Sequence, residues 1–117
     1  MAATNNPIWV MSSAFPGRPL AEVMRLAKEI GAQGVEVCVF RQGGTRQDHI
    51  ATHMEYEGFT LEAAKRAVGE FNRMGLRFSL GAYENLIGGD PDARRANQDH
   101  LLKLIRMAHL MGGDRND

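Results

Sequence analysis

The sequence is poor in cysteine, in excess charge of either sign and in long apolar runs. Its one cysteine, Cys38, excludes an intrachain disulfide and favours a reducing compartment. The 14 basic and 14 acidic side chains give a formal net charge of zero, which argues against nucleic acid or an anionic membrane as a partner. No apolar run approaches the roughly 20 residues that span a bilayer, and the start, "MAATNNP", lacks a secretory pattern. We therefore expect a cytoplasmic protein without a membrane segment.

Strand and helix patterns alternate along the chain. The β-prone stretches "IWVMSSAF", "GVEVCVF" and "LRFSLGAY" predict strands over 8–15, 34–40 and 76–83. Amphipathic patterns predict helices over 20–32, 61–74 and 91–111, with Thr60 and Asp90 as N-caps and Gly75 as a stop. This order predicts an α/β protein with parallel strands joined by right-handed crossovers. We expect residues 1–7 to be a disordered tail.

Side-chain periodicity predicts which faces are buried. In the second strand Val35, Val37 and Val39 alternate with Glu36, so valines facing the helices would turn Glu36 to the opposite, inner face. Arg77 has the same phase in the third strand, which predicts an ion pair between Glu36 and Arg77. Cys38 and Phe40 are expected on the same inner face, without covering strands. The apolar stripe of the last helix is predicted to comprise Leu101, Leu104, Ile105, Ala108 and Met111.

The long polar loops all follow predicted strands, whereas the connections from helix back to strand are short. In parallel α/β sheets, ligands bind at the loops that follow the carboxyl ends of the strands. This asymmetry favours a ligand-binding protein over a purely structural one.

Three stretches together resemble the xylose isomerase-like barrel superfamily: "GAQGVEV", "RFSLGAYENLIGG" and "NQDHLLKLIRMAHLMGGD". That superfamily includes sugar-phosphate isomerases and epimerases and a branch of zinc-dependent apurinic endonucleases. The resemblance implies that residues 1–117 are the first three βα units of a (βα)8 TIM barrel, truncated before strand four, because a complete barrel needs about 200 residues or more. The alternative is a complete three-stranded domain.

The resemblance implies a parent enzyme that isomerises or epimerises a sugar or sugar phosphate by metal-assisted proton transfer next to a carbonyl. Its divalent metal would be held by residues of later strands, so no metal ligand is predicted in this chain. The chain alone is expected to be inactive and to self-associate through open sheet edges. The alternatives are a non-catalytic half-barrel or interaction module, and a nuclease relative. Gly81 stands at or beside the place of a zinc-binding His in the nuclease branch, which counts against the latter.

The candidate site residues lie in the polar loops and on the inner face of the sheet. We predict substrate contacts by Arg41, His49, His53, Tyr83 and Glu84. Glu36 and Glu84 are the candidates for proton transfer, since carboxylates can act as general bases.

His49 and His53 are four residues apart, a spacing at which two imidazoles on one helical turn can share a metal. Because no third ligand follows at a usable spacing, we expect no metal site there. Calorimetric titration with Zn²⁺ or Mn²⁺ tests this expectation. Stoichiometric binding tighter than about 1 μM that is lost in His49→Ala would contradict it.

Overall fold

The sheet contains three parallel strands whose order in space follows the chain. The computed structural model describes residues 8–41, 52–81, 86–87 and 90–112. The strands are β1 (Trp9–Met11), β2 (Gly34–Cys38) and β3 (Arg77–Gly81), with β2 in the centre. Val35 of β2 lies opposite Val10 on one side and Phe78 on the other. The predicted α/β class with parallel strands is therefore confirmed.

The predicted N-caps and the predicted glycine stop are present at the helix ends. The helices are α1 (Leu20–Glu29), α2 (Leu61–Met74) and α3 (Pro91–Gly112). The Thr60 hydroxyl accepts a hydrogen bond of 3.1 Å from the Ala63 amide, and Gly75 ends α2 in the left-handed region at φ 68°. The Asp90 carboxylate accepts a 3.0 Å bond from the Ala93 amide at the start of α3.

All three helices pack against the same face of the sheet. The central strand supplies Val35, Val37 and Val39, which are fully buried. The helix residues that pack with these valines in one core cluster are Val23, Met24, Ala27, Ala64, Phe71, Leu104, Met107 and Met111. The predicted phase of β2 is therefore confirmed, with the valines towards the helices and Glu36 on the opposite face.

The buried stripe of α3 differs from the predicted one. His100, Leu104, Met107 and Met111 are buried, whereas Ile105 is 55% exposed and Ala108 is exposed. The buried set follows the spacing i, i+4, i+7, i+11, which is one helical face. The prediction assigned only apolar residues to the buried face and left His100 out. It therefore centred the buried face on the wrong side of the helix.

The first strand is shorter than predicted. It ends at Met11, and Ser12–Ala14 form a 3-10 turn instead of continuing the strand. The turn brings the Ser12 hydroxyl to within 2.8 Å of the Cys38 amide, from which it accepts a hydrogen bond. The Ser12 side chain thus supplies the hydrogen-bond acceptor that a longer β1 would have provided. Strand propensity alone does not predict this replacement. The first helix likewise ends at Glu29 rather than at residue 32.

The face of the sheet away from the helices carries polar and exposed side chains in its first half. The Trp9 ring lies over Gly34, where an added Cβ would come within 2.8 Å of three ring atoms. In contrast, Cys38 and Phe40 are buried, so the expectation that they lie on an uncovered face was wrong. The Ser12 turn and the segment at Thr52 contact the backbone of Cys38 and Phe40 on this part of β2.

We predict that Gly34→Ala costs about 1–3 kcal/mol because the new methyl group collides with the Trp9 ring. In a Trp9→Ala background the same substitution should cost less than about 0.5 kcal/mol. Denaturant unfolding of the four proteins of this double-mutant cycle measures both values. Equal costs in the two backgrounds would show that the ring does not restrict Gly34.

Candidate ligand-binding site

At the carboxyl end of β2, the backbone groups that face β1 form hydrogen bonds with groups from outside the sheet. In an extended strand the N–H and C=O of one residue point to the same side, and β1 ends before it reaches Cys38. The Cys38 amide bonds Ser12, and the Cys38 carbonyl accepts a 3.1 Å bond from the His53 amide. The Phe40 amide donates to the Thr52 hydroxyl at 3.0 Å. The segment Thr52–His53 therefore lies beside β2 where β1 would have continued.

The backbone groups of the same strand end that face β3 form hydrogen bonds with β3 and with His100 of α3. The Val39 amide donates to the Gly81 carbonyl at 3.0 Å. His100 is 2% exposed, and its Nε2 lies 2.7 Å from the Val39 carbonyl oxygen. Because a carbonyl oxygen only accepts, Nε2 carries the hydrogen. Tyr56 packs edge-to-face on this imidazole, with ring centroids 4.5 Å apart.

The segment that precedes α2 is fastened to α3 by charged side chains. Lys103 Nζ donates to the Glu57 carboxylate at 2.9 Å and lies 5.5 Å from the Tyr56 ring centroid. Arg106 donates a 2.7 Å hydrogen bond to the Phe59 carbonyl oxygen. The hydrogen bond to Glu57 raises the pKa of Lys103, which is a solvent-exposed side chain. These contacts fix the path of residues 52–59 over the helices.

A cleft of about 530 Å³ lies between this segment and the beginning of α1. Its described walls are Arg18, Pro19, Leu20, Thr52, His53, Met54, Glu55, Tyr56 and Glu57. The two walls come from the chain that follows β1 and the chain that follows β2. His53 Nε2 joins them by donating to the Phe15 carbonyl oxygen at 3.0 Å. The volume is within the range of about 300–1,000 Å³ that is common for small-ligand sites.

The described walls of the cleft combine hydrogen-bonding groups with apolar surface. Arg18, which precedes α1, forms an ion pair with Glu22 in the first turn of this helix. Glu57 is held by Lys103, whereas the exposed Glu55 forms no hydrogen bond or ion pair with another described residue. Leu20, Pro19 and Met54 supply the apolar part. Such a surface can meet both hydrogen-bonding and hydrocarbon parts of a small ligand.

The structure places the predicted substrate residues in different surroundings. Of these residues, His53 lines the cleft. Arg41 is half-buried at the end of β2, where its Nε donates to Asn97 Oδ1 at 2.7 Å, outside the described walls of the cleft. His49, Tyr83 and Glu84 lie outside the described residues. Their predicted roles stay predictions.

Glu36 lies on the open face of the sheet and not in the cleft. Its register partners are Met11 and Ser79, and Arg77 is opposite Gly34. Glu36 and Arg77 are thus diagonal neighbours on one face, as their phase predicts. The ion pairs between described residues do not include one between them, so that contact differs from the expectation. The diagonal register separates their Cβ atoms more than a directly opposite pair would.

Sequence reasoning missed most of the cleft. Arg18, Glu55 and Glu57 were not among the predicted site residues, because their approach depends on contacts distant in sequence. One usable signal was present, since both walls follow the carboxyl ends of predicted strands.

Within the described part of the chain, no three His, Cys, Asp or Glu side chains come together as metal ligands. The described residues therefore supply no ligand set for the divalent metal that the resemblance implies. No described helix combines the length and the apolar character needed to cross a membrane. A scan of protein-family models and a search of curated proteins both find no match for this sequence. The class that the coordinates define is an α/β protein with a cleft at the carboxyl ends of parallel strands.

We predict that His100→Ala destabilises the protein by about 2–5 kcal/mol, because it opens a cavity and removes the hydrogen-bond donor to Val39. The matched control is His109→Ala on the exposed side of the same helix, which should change stability by less than about 0.5 kcal/mol. Urea unfolding followed by circular dichroism measures both. Similar small effects of the two substitutions would contradict the anchoring role of His100.

Proposed function

We propose that this chain is the ligand-binding N-terminal part of a sugar or sugar-phosphate isomerase or epimerase with a (βα)8 barrel. The observation that carries the proposal is the cleft of about 530 Å³ at the carboxyl ends of β1 and β2. Enzymes with parallel βα units bind substrates at this end of the sheet. The consecutive order of the three strands, with helices on one face, agrees with the beginning of such a barrel.

The walls of the cleft support a polyhydroxylated ligand. Each sugar hydroxyl both donates and accepts, so a sugar site needs acceptors as well as donors. Glu55 offers an acceptor, and the hydroxyl of Thr52 and the guanidinium of Arg18 are further polar groups in the walls. Leu20 and Met54 can cover the C–H face of a sugar ring. We assign to this part of the parent enzyme the binding and orientation of the substrate hydroxyls.

In the proposed reaction class, a carboxylate or imidazole moves a proton next to a carbonyl group. The described imidazole of the cleft, His53, donates from Nε2 to the Phe15 carbonyl and so joins the two walls. We therefore assign His53 a positioning role. Glu55 is the carboxylate of the cleft that is left to meet a ligand hydroxyl.

A non-catalytic half-barrel is the second candidate. It is favoured by the contacts of His53 and His100, each of which donates a hydrogen bond to a backbone carbonyl oxygen. Both contacts hold chain segments together, which a binding or interaction module needs as much as an enzyme does. Ligand binding without turnover by the longest natural form of the protein would favour this candidate.

We predict that the chain binds a free pentose or hexose, or its monophosphate, and that Glu55→Gln weakens this binding roughly 10-fold or more. The reason is the loss of a charged acceptor, which is worth about 1.5–3 kcal/mol. Ligand-observed NMR titration with a panel of sugars and their phosphates measures the affinity. Glu62→Gln, on the exposed first turn of α2, is the control and should leave binding unchanged.

Two outcomes contradict the proposal. One is the absence of saturable binding for every member of the panel. The other is an equal loss of affinity in Glu55→Gln and Glu62→Gln, which would place the site away from the cleft. Comparison of each sugar with its phosphate identifies the ligand class.

A further inference from the structure

The charged side chains at the cleft are paired unevenly. Arg18 forms an ion pair with Glu22, and Glu57 forms one with Lys103. Glu55 also lines the cleft but forms no hydrogen bond or ion pair with another described residue. Each of these two cations therefore already faces a carboxylate, whereas one carboxylate is left over. Negative charge is in excess at the described walls.

Arg18 is the cation that a phosphate group would meet in the described walls of the cleft. Its Nη1 donates a hydrogen bond to Oε1 of Glu22, which lies outside those walls. A guanidinium is the usual bidentate partner of a phosphate in proteins. While Glu22 offsets its charge, the remaining N–H groups of Arg18 can still donate to a neutral hydroxyl.

The first turn of α1 is a second feature that favours an anion, and Glu22 offsets it as well. Pro19 and Leu20 at this helix start line the cleft, and the N-cap Pro19 forms no side-chain capping bond. The N-terminus of a helix carries a partial positive charge that favours acidic groups and anions. Glu22 is the acidic residue of this first turn. One carboxylate thus offsets both positive features of this wall.

We propose that Glu22 is a specificity-determining residue that keeps phosphate out of the cleft, so that the cleft takes an unphosphorylated sugar. A phosphate dianion would have to displace Glu22 from Arg18 and would meet the like charge of Glu55 in the other wall. A neutral sugar avoids both penalties, because its hydroxyls accept from Arg18 and donate to Glu55. The choice of a sugar rests on the proposed function, whereas the exclusion of phosphate rests on the charges alone.

Removal of the Glu22 charge provides the test. Glu22→Gln keeps the size of the side chain and releases Arg18, so affinity for a sugar phosphate should rise about 10-fold more than affinity for the free sugar. The probes are D-glucose and D-glucose 6-phosphate, D-ribose and D-ribose 5-phosphate, and inorganic phosphate, each titrated by ligand-observed NMR. The unmodified chain should bind each free sugar at least about 5-fold more tightly than its phosphate. Added salt should reduce this difference, because it screens exposed charges.

The same helix offers a matched control. Arg25 and Glu29 form an ion pair with the same spacing on α1, outside the described walls of the cleft. Glu29→Gln should leave the ratio of the two affinities unchanged. Arg18→Gln combined with Glu22→Gln should cancel the gain, because the cation that binds phosphate is then absent. Circular dichroism checks that each variant folds, and the loss of one exposed ion pair costs little stability.

The outcomes distinguish this inference from the proposed function. If Glu22→Gln gains no affinity for any of the phosphates, inorganic phosphate included, the inference is wrong even where free sugars bind. An equal gain in Glu29→Gln, or a gain that survives the loss of Arg18, also overturns it, since the effect then follows the net charge of the chain. So does tighter binding of the sugar phosphates by the unmodified chain. A gain for inorganic phosphate in Glu22→Gln without binding of any sugar supports the exclusion of phosphate and contradicts the proposed sugar ligand.

Discussion

The chain of β2 continues past the ends of β1 and β3, and its backbone N–H and C=O groups need hydrogen-bond partners there. The architecture depends on this requirement. A buried main-chain N–H or C=O without a partner costs about 1–3 kcal/mol, so each group at Cys38, Val39 and Phe40 must be met. The partners are two side chains and one amide on the β1 side, and Gly81 and His100 on the β3 side. This requirement draws the 3-10 turn, the 52–59 segment and α3 to one place.

The cleft is a consequence of that convergence. The segment that completes β2 has no partner strand to follow, so it passes over the start of α1 and leaves space between them. Its other side is held by α3 through Tyr56, Glu57 and Phe59. The polar groups of the cleft walls are thus placed by contacts whose first effect is to satisfy backbone groups and to fix a long connection.

Features specified by neighbouring residues were predictable, and features specified by distant contacts were not. The bounds of α2, the Thr60 cap and the Gly75 stop follow from local chemistry. The early end of β1 depends on Ser12 meeting Cys38, 26 positions away in sequence. The buried side of α3 depends on His100 finding a carbonyl oxygen 61 positions away, which made a polar residue part of the core. In the cleft, His53 was predicted as a site residue, whereas Glu55 and Arg18 were not.

The fastening of the 52–59 segment to α3 also bears on how the protein opens. Three successive positions along one side of the helix, His100, Lys103 and Arg106, contact this segment or the strand end beneath it. Separating the segment from the sheet therefore requires these contacts to break together. Amide hydrogens of α3 and of the segment should then exchange with solvent as one cooperative unit. A ligand that bridges the walls of the cleft would slow exchange along a helix that it does not touch.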